Sequence, residues 1–157
     1  MEAEKLRFAE LTDSGDERGS SFAAPGSWLS NAFPVRDVHI STTLPGHVRG
    51  NHCHQIRNEI LIIAFEDRWS LHWDTGEGTP QHHHQFEGKG TVVVSVAPYA
   101  SHAIRNDGSL LLHMVGLSDV AYDPLVPDTL PRKVCDTEAN PTNGPTYDQF
   151  HCWRNSQ

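Results

Sequence analysis

Long apolar runs are missing from this 157-residue chain. No stretch approaches the roughly 20 residues that a membrane-spanning helix requires. Basic charge is scarce too. Twelve Lys and Arg stand against twenty Asp and Glu, a formal net charge of −8, which excludes the broad basic face that nucleic acid or an anionic membrane would need. A few arginines inside one pocket would still suffice for a nucleotide. The three cysteines, Cys53, Cys135 and Cys152, form no even, regular disulfide framework. Met1-Glu2-Ala3-Glu4-Lys5 has no signal-peptide character. No helical period runs through the sequence, and it has no dinucleotide-binding glycine fingerprint. These absences predict a cytoplasmic protein of a reducing compartment, with neither nucleic acid nor membrane as a partner.

What is present favours strands. Ten prolines and twelve glycines break the chain into short pieces rich in Val, Ile, Leu and Trp. Strands are expected at Pro34 to Thr42, His47 to His54, Glu59 to Ala64, Trp69 to Trp73, Gly90 to Val96, His102 to Asn106 and Leu110 to Leu117. Turn signals separate them at Leu44-Pro45-Gly46, Asp74-Thr75-Gly76-Glu77-Gly78 and Asn106-Asp107-Gly108-Ser109, the last reading as a tight hairpin. Seven to nine such strands suggest one antiparallel all-β sandwich or barrel, assigned to residues 1–130. From Ala121 onward the composition shifts to Pro, Asp, Thr and Asn, and residues 131–157 read as an irregular C-terminal tail.

The chemistry concentrates at His52, His54, Glu59 and His102. Positions two apart on a strand share a face, so His52 and His54 converge on one point. A turn over Gln55 to Asn58 would bring Glu59 back as an anionic oxygen donor, and His102 would close the set from a distant strand. Three imidazoles and one carboxylate suit zinc, with iron, manganese or nickel as other occupants where water fills open positions. The bland reading is a set of histidines hydrogen-bonded inside a polar cavity. Cys53, between two same-face histidines, points to the opposite face and reads as a small core residue. Trp69 and Trp73, four apart on one strand, pack together as core. His82-His83-His84 alternates faces, so at most His82 and His84 converge; it reads as surface or cavity rim.

These residues resemble the cupin superfamily. Gly46, His52, His54 and Glu59 match its first motif, G(X)5HXH(X)3-4E, while Glu66 stands where the closing glycine is expected. In Ala97-Pro98-Tyr99-Ala100-Ser101-His102-Ala103-Ile104-Arg105-Asn106, His102 and Asn106 match the second motif, with the proline moved one place and Tyr99 in place of glycine. The resemblance implies a double-stranded β-helix, the cupin jelly-roll barrel, with His52, His54, Glu59 and His102 as metal ligands. Asp16-Glu17-Arg18-Gly19 and Arg49-Gly50-Asn51-His52 look like segments of the RmlC-like epimerases and ketoisomerases of dTDP-4-keto-6-deoxyhexoses. Val48 through Glu59, with Tyr122-Asp123-Pro124 and Pro127-Asp128-Thr129, is similar to the C-terminal cupin domain of CapF-type capsular polysaccharide enzymes.

The resemblance implies a nucleotide-sugar substrate, held by Arg18 and Arg49 through bidentate hydrogen bonds, and a homodimer in which Arg18 reaches the neighbouring pocket. It implies epimerisation or isomerisation beside a ketone, which requires a base and a means of stabilising an enolate. In the metal-free relatives the base aligns with His52, which here belongs to the ligand set. One imidazole nitrogen cannot serve both roles, which leaves His47, Tyr99 and His113 as open candidates for the base. Two other functions fit the same residues: an iron-dependent dioxygenase of small molecules, and a non-catalytic module that binds a sugar or a partner protein.

Overall fold

The computed structural model describes residues 4–29 and 34–136. Its strands are β1 (Leu6–Glu10), β2 (Asp37–Thr43), β3 (Val48–His54), β4 (Glu59–Phe65), β5 (Trp69–Asp74), β6 (His82–Phe86), β7 (Gly90–Val96), β8 (Ser101–Asn106), β9 (Leu112–Ser118) and β10 (Thr129–Pro131), with one short helix, α1 (Gly26–Leu29). Among the described residues, no helix is long and apolar enough to cross a membrane. The strands form two five-stranded antiparallel sheets in the orders β1-β7-β4-β9-β2 and β10-β3-β8-β5-β6. This is the cupin jelly roll. Each of the seven expected strands appears, trimmed or extended by a few residues. The unexpected strands are β1, β6 and β10. β1 and β6 are five residues each without a β-branched residue, and β10 is three residues long, so none carries the β-branched alternation that marks a strand.

The two inner faces close on an apolar core. Leu61, Ile63 and Phe65 of β4, Val92, Val94 and Val96 of β7, and Leu112 and Met114 of β9 face Trp69 and Leu71 of β5, Phe86 of β6 and Ile104 of β8. Trp69 stacks on Phe86 with ring centroids 4.2 Å apart. Trp73 packs against the same cluster, as the same-face spacing of the two tryptophans predicts. The core fills one end of the sandwich, and the other end is left to polar side chains.

The expected hairpin at Asn106 to Ser109 and the expected turn at Gln55 to Asn58 are both crossings between the sheets. β8 and β9 do not pair with each other, because they lie in different sheets. The Asn106 side chain anchors that crossing: its Nδ2 donates to the carbonyls of Thr43 and Leu110, and its Oδ1 accepts from Gly108 N–H. Asp67 accepts from the backbone N–H and hydroxyl of Ser109. Local turn chemistry is satisfied, yet the chain emerges on the opposite layer. Likewise β3 and β4 belong to different sheets, so Glu59 returns across the sandwich to face the histidines rather than lying beside them.

One irregularity sets the register of β3. Gly50 pairs with Ala103 and His52 pairs with His102, which leaves Asn51 as an extra residue, a β-bulge. Gly50 and Asn51 have φ of 97° and 56°. Glycine is required at 50 twice over: L side chains avoid that φ, and a Cβ there would crowd the His102 carbonyl and Ala103 Cα. Asparagine tolerates the left-handed region better than most residues. Its side chain turns outward to accept from the N–H groups of Val134 and Cys135 and to donate to the Cys135 carbonyl. The folded unit therefore runs past residue 130. Val134 and Cys135 pack on Ala103 and Val48 over the outer face of the second sheet. Residues 137–157, with Cys152, lie outside the described residues.

Candidate metal centre

The bulge is what assembles the site. Without the extra residue, Arg49 and His52, three apart, would fall on opposite faces of β3. With it, Arg49 lies opposite the core residue Ile104 and His52 lies directly opposite His102, both on the inner face. His54 follows two positions on. The three imidazoles pack together, with ring centroids 4.9 Å apart for His52 and His54 and 4.8 Å for His52 and His102. Cys53, between them, is buried on the other face, where Arg132 approaches its sulfur at 4.0 Å.

Glu59 supplies the carboxylate from β4. Its Oε2 lies 3.2 Å from His54 Nε2 and 3.6 Å from His102 Nε2. Donor atoms of His52, Glu59 and His102 all lie within 4.8 Å of one another. His54 touches the carboxylate but falls outside that tightest group. His54 Nε2 and Glu59 Oε2 are both buried with no hydrogen-bond partner. Buried polar atoms without partners are rare, and here they converge on one place. A mixed imidazole and carboxylate donor set of this kind fits a divalent transition metal.

Electrostatics match that donor set. Burial, reinforced by the neighbouring His102 and His54, pulls the His52 imidazole from its ordinary 6.5 down to about 3. Burial also lowers His102, against the pull of Glu59 in the other direction. Both rings are therefore neutral near pH 7, with lone pairs free. Burial by itself would raise Glu59, but the adjoining His54 and the other imidazoles around it outweigh that and hold the carboxyl at about 2. The site thus presents an ionised carboxylate beside the neutral imidazoles of His52 and His102.

A residue without an assigned role in the sequence stands behind His54. Asp128 is buried; its Oδ1 accepts from Gln55 and Ile56 N–H, and its Oδ2 accepts from Arg57 N–H and Arg57 Nε. The same Oδ2 lies 3.7 Å from His54 Nδ1, and Thr129 Oγ1 lies 3.4 Å from that nitrogen. One carboxylate therefore shapes the β3–β4 turn and fixes how His54 presents its other nitrogen. A carboxylate behind a histidine in this way orients the ring and raises its basicity as a ligand.

The remaining candidates scatter. His47 is exposed, five positions before His52 on β3, and its Nδ1 engages the Pro45 carbonyl at 2.9 Å. His113 is exposed between the inward-facing Leu112 and Met114, so it points away from the cavity. Tyr99 borders the site: its N–H donates to the His54 carbonyl at 2.7 Å. Its φ of 66° occupies the conformation for which the cupin motif carries glycine, and its side chain is about half exposed. Arg49 lies on the inner face and donates from Nε to the Thr42 carbonyl at 2.7 Å. Arg18 is not brought to the cluster. It sits on an exposed turn, its side chain 83% accessible, paired to Asp16 of the same turn. In the His82–His84 run, His82 stacks on Trp73 and His84 packs on Phe8, both at the cavity rim, while His83 turns outward onto His72.

The family model for the polysaccharide biosynthesis C-terminal domain matches residues 15–130, most of the chain. The chain belongs to that family. Its fold is the RmlC-like cupin. Similar solved structures include the 3,4-ketoisomerase QdtA from Thermoanaerobacterium thermosaccharolyticum in complex with TDP-4-keto-6-deoxyglucose, at 14% identity and a TM-score of 0.60 over 82% of this chain and 88% of that one. The epimerase NovW from the novobiocin cluster of Streptomyces spheroides, described as acting on a 4-keto-6-deoxy sugar, matches at 15% identity and 0.62 over 80% and 68%. The capsular polysaccharide assembling protein CapF from Staphylococcus aureus matches at 22% identity and 0.57 over 79% of this chain, but this covers only 34% of CapF. No curated protein matches the chain in sequence.

The titration behaviour of the cluster gives a test in metal-free protein. Between pH 6.5 and 3 the unfolded chain holds a proton at residue 52 that the folded chain excludes, so stability falls as the pH drops through that window. Glu59 adds a slope of the same sign lower down, from 4.5 toward 2. Thermal melts across this range should show progressive acid destabilisation beginning near 6.5. The variant His52→Gln should flatten the upper part of that slope and leave the lower part in place.

Proposed function

We propose that this chain is a metal-dependent epimerase or isomerase of a nucleotide-linked 4-keto-6-deoxy sugar in surface-polysaccharide synthesis. One observation carries the reading: a buried carboxylate ringed by imidazoles on the inner face of an RmlC-like barrel, in a family of polysaccharide biosynthesis domains. It is supported by the keto-sugar nucleotide bound to the structurally similar QdtA and by the keto-sugar epimerase NovW. The reaction breaks a C–H bond beside a ketone and leaves enolate charge that must be stabilised.

In this reading His52, His54, Glu59 and His102 hold the cation, with Asp128 and Thr129 orienting His54. Zinc is the expected occupant, and iron, manganese and nickel share the donor preference. Such a cation supplies a Lewis acid for a keto oxygen without a redox step. Arg49 spends Nε on Thr42, which leaves its two terminal nitrogens for a pyrophosphate. Arg18, far from the cluster and exposed, takes its place in the site of a neighbouring copy, so the active form is a homodimer. Buried imidazoles that exclude protons at neutral pH suit ligation better than proton transfer, which separates the cation-holding residues from the base.

Three outcomes are expected. Purified protein carries about one divalent ion per chain by elemental analysis; His102→Ala loses most of it, and Asp128→Asn binds it roughly 10- to 100-fold more weakly in chelator competition. Metal retained in full by a His52→Ala, His54→Ala double variant refutes the assignment. Incubation with TDP-4-keto-6-deoxyglucose in heavy water places deuterium at a carbon next to the ketone, read by proton NMR; no incorporation across several nucleotide and sugar variants replaces the enzyme with a binding module. Light scattering at micromolar concentration gives twice the chain mass, and a monomer mass removes the role assigned to Arg18.

A further inference from the structure

Proton transfer at carbon needs a side chain that is not already a metal donor; His47 engages the Pro45 carbonyl, His113 points away from the cavity, and Tyr99 is half exposed at its border. Among the described residues, a histidine of the first sheet also faces the cavity. His39 of β2 lies directly opposite Gly116 of β9, which lies opposite Leu61 of β4. Leu61 belongs to the core, and residues directly opposed across an antiparallel pair share a face, so His39 points inward. Its ring lies across Gly116: a Cβ at that position would overlap the imidazole. Glycine at 116 thus makes the space that the ring occupies.

The alternation along β2 tells the same story. Asp37, His39 and Ser41 turn inward, while Val38 and Ile40 turn out and are 58% and 78% exposed. Polar residues inside and apolar ones outside invert the usual pattern of a half-buried strand, as expected where the inner face lines a ligand cavity rather than a core. Ser41 Oγ is buried there with no hydrogen-bond partner. The His39 ring is half-buried and near enough for its charge to act on His102. It lies one row inward of Glu59 in the same sheet, because Glu59 pairs with Ser118, two residues along β9 from Gly116.

We propose that His39 is the catalytic residue that moves the proton at the sugar carbon, with Gly116 as the position that seats its ring. The proposal rests on the keto-sugar reading above. A neutral ring nitrogen of His39 takes the proton from the carbon next to the ketone. The C–H electron pair becomes the enolate double bond, and the carbonyl pair moves onto oxygen. Collapse of the enolate returns a proton from the imidazolium to carbon, or a deuteron when the ring has exchanged with heavy water. No oxidant or reductant enters. Positioned histidine bases contribute about 100- to 10,000-fold to such steps.

The test uses full-length, metal-loaded protein, TDP-4-keto-6-deoxyglucose, and the variants His39→Gln and Gly116→Ala. The first arm follows the His39 ring resonance by NMR as the nucleotide sugar is added: a shift is expected, and an unmoved resonance under saturating ligand overturns the proposal whatever the reaction turns out to be. The second arm measures metal content and deuterium incorporation. Both variants should keep their metal and bind the nucleotide sugar within a few-fold of the parent, while incorporation slows by about 100-fold or more. Parent-like incorporation in His39→Gln overturns the proposal, as does loss of metal in step with loss of exchange. If the parent itself incorporates no deuterium, the keto-sugar chemistry falls. The ring shift then decides only whether His39 contacts ligand, and the proton-transfer role falls with the reaction.

Discussion

A single extra residue in β3 governs the geometry of this protein. Because Asn51 has no partner on β8, the strand changes face between Gly50 and His52, and His52 meets His102 instead of pointing to the outer surface. The same residue uses its side chain to bind the backbone of Val134 and Cys135, and its carbonyl accepts from Arg132 N–H. Inner-face chemistry and outer-face closure are thus fixed at one point. The left-handed backbone there is sustained by residues on both sides, as strained conformations at functional sites must be.

Around that point the sandwich divides its labour. At one end the inner faces are filled by Trp69, Phe86, Phe65 and Ile63, all buried, which fix the distance between the sheets. At the other end the facing rows are Glu59, Ser118 and Asp37 on the first sheet and His52, His102 and Trp73 on the second. The apolar end supplies the rigidity that holds the imidazoles around an ionised carboxylate in a buried setting. Charge burial of this sort is costly unless the charge is paired, and the unpartnered atoms of His54 and Glu59 mark where the pairing is incomplete within the protein alone.

Much of this was legible in the sequence, for physical reasons that differ by residue. His52 and His54 announce themselves because a two-residue period fixes a shared face whatever the surrounding fold. Asn106 stands in the second motif as a polar residue of unspecified use, and its three hydrogen bonds across the barrel end explain why an amide suits that position. The hairpin reading of residues 106–109 failed because turn chemistry governs how the chain reverses, not which sheet receives it. Asp128 stayed silent because its partners are mainly backbone N–H groups, which no sequence spells out. His39 stands in the sequence as a lone histidine, and its signal lies only in the inverted alternation of Asp37 to Thr43. Arg18 was drawn toward the site by its motif alone; in the single chain its charge is answered by Asp16, two residues away.

The arrangement around His54 also bears on when in the life of the chain the centre can exist. The ring is framed by Glu59 just downstream, by Tyr99 beyond the middle of the chain, and by Asp128 and Thr129 at the end of the folded unit. Contacts spanning more than seventy residues form only after the intervening strands have closed, which slows folding and leaves nascent pieces without their final partners. During synthesis from the N-terminus, the paired histidines therefore leave the ribosome well before the carboxylate that orients one of them. A cation captured early would meet flexible ligands of weak selectivity; one captured late meets a finished cage. Under the proposed metal-binding reading, discrimination among metals would be a property of completed folding, since the segment leading into the last short strand, β10, is what frames the ring.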